Sequence, residues 1–328
     1  MRKKGLIERI VMGEAAKEDF SSSQLPKNRT ELFSYMIKHK LFKIYKNHLL
    51  IALFFIPLIA WGILTMEYTD TVFSADPKVG ITYLVEYWVT VYVTAIPMWM
   101  LAFVGLAGGL NVIRKLAWGD PVILKTDFFH GIKASGKQMA LVGALWGIAF
   151  AIIRYGIDWL GFYYQVFDDS YSVVFGIFLC YFLLVAIFGI TVYMACMCSI
   201  YNVNFKQLVI GAFKLYFADC FMATGIILLS LLPFLILMLI GLAITTLIAY
   251  LLVLFALLGI MIIPMFLVCQ HTFDRIINKK DYPDYYGRGL SYGAKENRVN
   301  DVIICAEELE NATKKVEIET DFERVSDE

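Results

Sequence analysis

Residues 220–270 run for 51 positions without one Asp, Glu, Lys or Arg. The hydrocarbon core of a bilayer is about 30 Å thick and takes roughly 20 apolar residues of helix at about 1.5 Å rise each. A single span is too short to hold such a stretch. Two spans, about 221–241 and 246–269, joined by a tight turn near 241–246, fit it. Helices are required because lipid offers no hydrogen bonds, so each backbone amide must be satisfied within its own segment. The same test finds four spans upstream, at about 49–66, 88–112, 140–163 and 173–198.

The chain therefore reads as an all-α polytopic membrane protein, a bundle of six transmembrane helices. Composition agrees. The chain is 59% apolar and 18% charged, with a mean hydropathy of +0.66, whereas soluble domains average about 45–50% and about 25%. Its 29 basic and 29 acidic residues cancel, and without a basic excess it does not read as a nucleic-acid binder.

Lys and Arg are retained on the cytoplasmic side of a membrane protein. Residues 1–48 hold 11 of them, 113–139 hold 5, 199–219 hold 2 and the stretch after 270 holds 9. The alternate segments 67–87, 164–172 and 241–246 hold 1, 0 and 0. Both termini are thus expected in the cytoplasm, and an even number of spans follows. The first 30 residues contain MRKKGLIERI and GEAAKEDFSSSQ in place of the apolar core and cleavage site of a signal peptide, so the first span is expected to be retained.

Three regions follow: a polar extension over 1–30, a membrane domain over 31–290 and an acidic cytoplasmic tail over 291–328. From Asp301 the tail has ten acids against Lys314, Lys315 and Arg324, a composition that stays solvated. Before the first span, Leu32, Tyr35, Met36, Leu41, Ile44 and Tyr45 alternate with Lys38, Lys40, Lys43 and Lys46. That pattern predicts an amphipathic helix at the inner leaflet, where anionic lipids attract lysines. Asp120 and Pro121 predict the start of a second surface helix ahead of the third span. Within it, residues 131–137 have the spacing of a phosphate-binding loop, but Gln138 stands where such a loop places Ser or Thr and no strand precedes it. Pro283 and the nearby glycines predict an irregular segment after the last span. The sequons at Asn28 and Asn311 fall on the cytoplasmic side and are expected to stay unmodified.

Inside the spans, Arg154 and Asp158 are ionisable and four residues apart, so they share one helical face. Ionisable groups at membrane depth are costly and need partners. They form either a structural ion pair locking the third helix or part of a ligand or ion pathway. Around the same outer end gather Trp61, Trp88, Tyr92, Trp159 and Tyr163, with Glu67, Asp70, Asp76, Glu86, Asp168 and Asp169. Trp88, Tyr92, Trp159 and Tyr163 would serve as an outer-face ligand or partner surface, or as an interfacial aromatic belt. Gly105 and Gly109, and likewise Gly143 and Gly147, are four apart and suit close helix packing. Pro57, Pro97, Pro233 and Pro264 lie within spans, where each frees a carbonyl and permits a kink. The six cysteines lack disulfide or metal spacing and read as small packing residues. The four histidines are scattered singly, and no HExxH, GxSxG or paired-carboxylate motif occurs. No catalytic residue, metal site or cofactor is expected, and the chain does not read as an enzyme.

Residues 38–59 (KHKLFKIYKNHLLIALFFIPLI), 105–145 (GLAGGLNVIRKLAWGDPVILKTDFFHGIKASGKQMALVGAL) and 275–290 (RIINKKDYPDYYGRGL) together resemble the YesL-like family of bacterial integral membrane proteins. The resemblance covers roughly 30–290. Members have no assigned activity and are often encoded beside sugar ABC importers and their regulators in Gram-positive bacteria. It implies a multi-pass protein of the bacterial cytoplasmic membrane in a carbohydrate-uptake context, and it supplies no active residues. The expected function is an integral membrane accessory or scaffold subunit associated with a carbohydrate ABC import system. Its expected partners are membrane lipids and ABC permease subunits, and a homo-oligomer is compatible with the same surfaces. The alternative is a small-solute or sugar transporter or channel acting on its own.

Overall fold

The computed structural model describes residues 25–73, 86–167, 170–239 and 243–291. Most of the polar extension, the acidic tail, Cys305, Asn311 and the side chains of Glu67, Asp70, Asp76, Asp168 and Asp169 lie outside the described residues.

Every described element is helical. Helix α1 is Arg29–Phe73, α2 Ile96–Trp118, α3 Leu124–Phe167 and α4 Ser170–Ile200. Then follow α5 Phe205–Ala218, α6 Cys220–Leu239, α7 Ala243–Leu252 and α8 Leu258–Phe273. Three π turns, Val89–Val93, Val253–Leu257 and Asp274–Asn278, precede α2, join α7 to α8 and follow α8. Among the described residues five helices are long and apolar enough to cross a membrane, and six if the bent pair α5 and α6 is taken as one span. The protein is an all-α, multi-pass membrane bundle.

Several local expectations change. The amphipathic segment before the first span is part of one 45-residue helix, α1, with no break at the membrane edge. Asn28 starts it: the Glu31 amide donates to Asn28 Oδ1 at 2.8 Å, and the Glu31 carboxylate accepts from the Lys27 amide, a reciprocal arrangement close to a capping box. Leu32, Met36 and Ile44 are buried in protein, while Leu41, Phe42 and Tyr45 face outward. No separate surface helix follows Asp120 and Pro121. Helix α3 begins at Leu124 and runs unbroken for 44 residues through the third span.

The stretch 131–137 lies inside α3, so its amides serve the helix and cannot cradle a phosphate. Pro97 sits in the first turn of α2, where its missing N–H costs nothing. It therefore starts a helix after a π turn and does not kink one. Chain 199–219, read as a loop, contains α5, held by an Asn204 and Gln207 capping box and turned 94° from α6. The segment after 270 stays helical to Asp281 before the Pro283–Tyr285 turn.

The core lies toward the lysine-rich end. Leu32, Met36, Ile113, Phe128, Tyr193, Phe266 and Phe273 are all at most 2% exposed. Helices α1 and α3 measure roughly 66–68 Å at about 1.5 Å per residue, about twice the hydrocarbon thickness, so part of each stands in water. There the hydrophobic effect drives helices together, whereas between helices in lipid it does not. Burial follows this division. The apolar window of the last span is 61% buried and that of α4 only 11%.

Glycine makes the closest contacts. Gly105 lies against Phe54 and Gly109 against Ile51, both of α1. Gly143 lies against α2, where an added Cβ would stand 2.8 Å from the Trp99 carbonyl and 2.9 Å from Phe103 Cβ. Gly147 faces Ile96 and Trp99. Gly108 and Gly131 extend the α2–α3 seam; neither reads from sequence as a packing glycine, and Gly131 stands there only as the start of the phosphate-loop spacing. Gly143→Leu should therefore cost about 1–3 kcal/mol by overpacking, read as a lower melting temperature in detergent. Gly161→Leu, with nothing within 4 Å of the new Cβ, should leave it unchanged.

Candidate functional site

Arg154 and Asp158 meet on α3 as their spacing implies, Nη2 to Oδ1 at 2.9 Å. Tyr92, from the first π turn, joins them. Its hydroxyl accepts from Arg154 Nε at 3.2 Å and Nη2 at 3.1 Å, and the guanidinium lies 5.6 Å from the ring centroid. The π turn has one more residue per turn than an α-helix, which resets the face that this stretch presents to α3. Trp61 holds the turn from α1 by donating Nε1–H to the Val91 carbonyl at 3.0 Å. Trp88 donates to the Ala151 carbonyl at 2.5 Å.

The structure thus brings Tyr92 to Arg154 and Asp158, while Trp88 meets the same helix at Ala151 and Tyr155. Trp159 connects to them through Tyr155, whose ring lies 5.1 Å from Trp88 and 6.1 Å from Trp159. Trp159 and Tyr163 are 42% and 39% exposed on the outside of the bundle. Asp158 is 8% exposed and its Oδ2 has no protein partner. The Tyr92 hydroxyl also interacts with this carboxylate, so the cluster neutralises its own charge within the protein.

A second polar assembly, at the opposite end of the bundle, was not singled out from sequence. Arg29 Nη2 donates to Asp274 Oδ2 at 2.5 Å, with side chains 9% and 7% exposed. Arg29 Nη1 donates to the Arg288 carbonyl. Asp274 Oδ1 accepts from Asn278 Nδ2 at 2.8 Å and from the Gly287 amide at 3.4 Å. Tyr201 in turn donates to Asn278 Oδ1. Nearby, the Tyr193 and Thr272 hydroxyls lie 2.8 Å apart, and Thr272 donates to Asp219, which pairs with Arg275 at 3.3 Å. Gly289, at φ +80°, lets the last segment pass against the Ala117 carbonyl, and the Ser291 amide donates to the Pro26 carbonyl at 3.0 Å. Both edges of the described membrane domain are thereby closed on each other. These partners are 245 residues apart in the case of Arg29 and Asp274, and neither stands out among neighbouring charges.

A third group sits where α2 turns into α3. Asp127 accepts from Lys115 at 2.7 Å and from the Ile123 amide at 2.8 Å. Arg114 donates to Asn111 and to the Ser199 carbonyl. Each of these polar groups finishes a helix end or ties two helices.

Among the described residues no group of three or more His, Cys, Asp or Glu is placed to hold a metal ion. The five described cysteines are free thiols, three of them buried. Comparison with protein-family models, with curated proteins and with solved structures returns no match.

Arg154→Ala and Asp158→Ala should each lower thermostability in detergent, with the double change recovering part of the loss. If each single change leaves stability untouched, the pair is not a structural lock. At the other end, Asp274→Ala leaves Arg29 buried without its carboxylate and should cost about 3–5 kcal/mol. Arg29→Met combined with Asp274→Leu should cost less, as read by melting and limited proteolysis.

Proposed function

We propose that the chain is an integral membrane accessory or scaffold subunit of a carbohydrate ABC import system. In this reading it is a YesL-like protein of the bacterial cytoplasmic membrane with both termini in the cytoplasm. The observation that carries the reading is the open face of α4. Its outer half exposes Val174, Phe175, Phe178 and Phe182 at 59–67%, a lateral aromatic surface that can be covered by lipid or by the helices of a permease. The paired charges support the same reading, because Arg154, Arg29 and Lys115 each have a carboxylate partner within the chain. The segregation of Lys and Arg to alternate segments supports the orientation, and the family resemblance supports the sugar-uptake context.

A transporter or channel acting alone is the second reading. The Asp158 Oδ2 near Tyr92, without a hydrogen-bond partner in the protein, favours it, since a carboxylate acceptor suits a sugar hydroxyl. Affinity purification in mild detergent separates the two. An accessory subunit should bring down permease and ATPase chains at fixed stoichiometry. Recovery of a lone chain that moves sugar across liposomes would overturn that assignment in favour of the second.

A further inference from the structure

Helix α5 carries apolar side chains on two sides. On one, Leu208, Ala212, Leu215 and Tyr216 are buried, with Gly211 against Met197 and Tyr216 against Gly189, both of α4. On the other, Ile210, Phe213 and Phe217 are 46–53% exposed. Spaced three and four residues apart, they form one stripe along the helix, and the Phe213 and Phe217 rings lie 4.7 Å apart. Residues 205–218 contain no Asp or Glu. The two charges of α5, Lys206 and Lys214, are exposed one turn before and one turn after Ile210, and Lys214 begins the polar side that Gln207 continues.

Both ends of α5 lie at one edge of the membrane domain. Ahead of its first turn, the Val203 carbonyl accepts from Gln138 at 2.9 Å, just before the apolar run of α3 that starts near 140. After its last turn, Asp219 meets Thr272 and Arg275, just past the apolar run that ends near 269. A helix with both ends at the same edge runs along that edge. The bend agrees, since α5 is turned 94° from α6, whose 20 residues suffice to cross the hydrocarbon alone. At this level headgroups meet acyl chains, and an apolar stripe flanked by lysines matches both layers. We propose that α5 is an in-plane membrane anchor. Ile210, Phe213 and Phe217 insert among the acyl chains of the leaflet at the lysine-rich end, while Lys206 and Lys214 extend to its phosphates.

Nitroxide labels on single introduced cysteines test this in the full chain, reconstituted in vesicles of phosphatidylglycerol and phosphatidylcholine. Cys180, Cys220 and Cys305 are replaced by serine and the three buried thiols stay in place. Power saturation then compares collisions with oxygen, which concentrates in hydrocarbon, and with a neutral nickel chelate, which stays in water. Phe213→Cys and Phe217→Cys should favour oxygen, matching Phe178→Cys on the open face of α4, and Lys214→Cys should favour nickel. Because all four sites are exposed, each labelled chain should keep the melting temperature of the cysteine-reduced parent. Nickel-favoured collisions at 213 and 217 would put the stripe in water and overturn the proposal. Few collisions with either reagent would mean that a second copy of the chain covers the stripe, and would overturn it equally.

Discussion

Three side chains of α1 meet the three π turns of the bundle, and the remaining packing depends on these contacts. Trp61 takes the Val91 carbonyl in the first turn, His48 takes the Gly259 amide just beyond the second, and Arg29 takes the Asp274 carboxylate at the head of the third. A π turn inserts one extra residue and leaves backbone groups without their usual helical partners. In a medium without water those groups need partners from elsewhere in the protein. Helix α1 supplies such a partner to the first turn and to the amide just past the second, and at the third it contributes a side-chain ion pair.

The two ends of the bundle are held by different forces. At the basic end long helices leave the hydrocarbon, and aromatic and aliphatic side chains pack as they do in a soluble core, sealed by the network around Asp274. Toward the other end the hydrophobic effect between helices falls away. Cohesion there rests on glycine contacts, indole-to-carbonyl bonds and the Arg154, Asp158 and Tyr92 cluster. Helix α4 shows the result, packed at Tyr193–Ile200 and open from Tyr171 to Leu183. A molecule built in this way offers a lateral apolar surface within the membrane.

Local spacing made part of the site legible. Arg154 and Asp158 are four residues apart, and the pairs Gly105 with Gly109 and Gly143 with Gly147 repeat at helical period, so one helix suffices to put each on a common face. What those faces meet was not legible. That Gly109 accommodates Ile51, or that Tyr92 completes the Arg154 cluster, depends on neighbouring helices and on π turns whose sequences, VTVYV, VLFAL and DRIIN, carry no distinguishing residue. The phosphate-loop spacing at 131–137 shows the converse error, since a pattern of residue types carries chemistry only in the backbone conformation that chemistry needs.

The sequence by itself determined that this is a helical, multi-pass membrane protein and where its apolar segments lie, because hydrocarbon admits only uncharged stretches of sufficient length with internally bonded backbone. It also determined that Arg154 and Asp158 share one face of a single helix. The tertiary structure alone decided that α1 and α3 run unbroken past their spans and that Phe205–Ala218 forms a helix nearly perpendicular to the next. It alone joined Arg29 to Asp274 and His48 to Gly259. The physical reason is one of range: hydropathy and helical period act over a few turns, whereas partners 245 and 211 residues apart are chosen only when whole helices have packed.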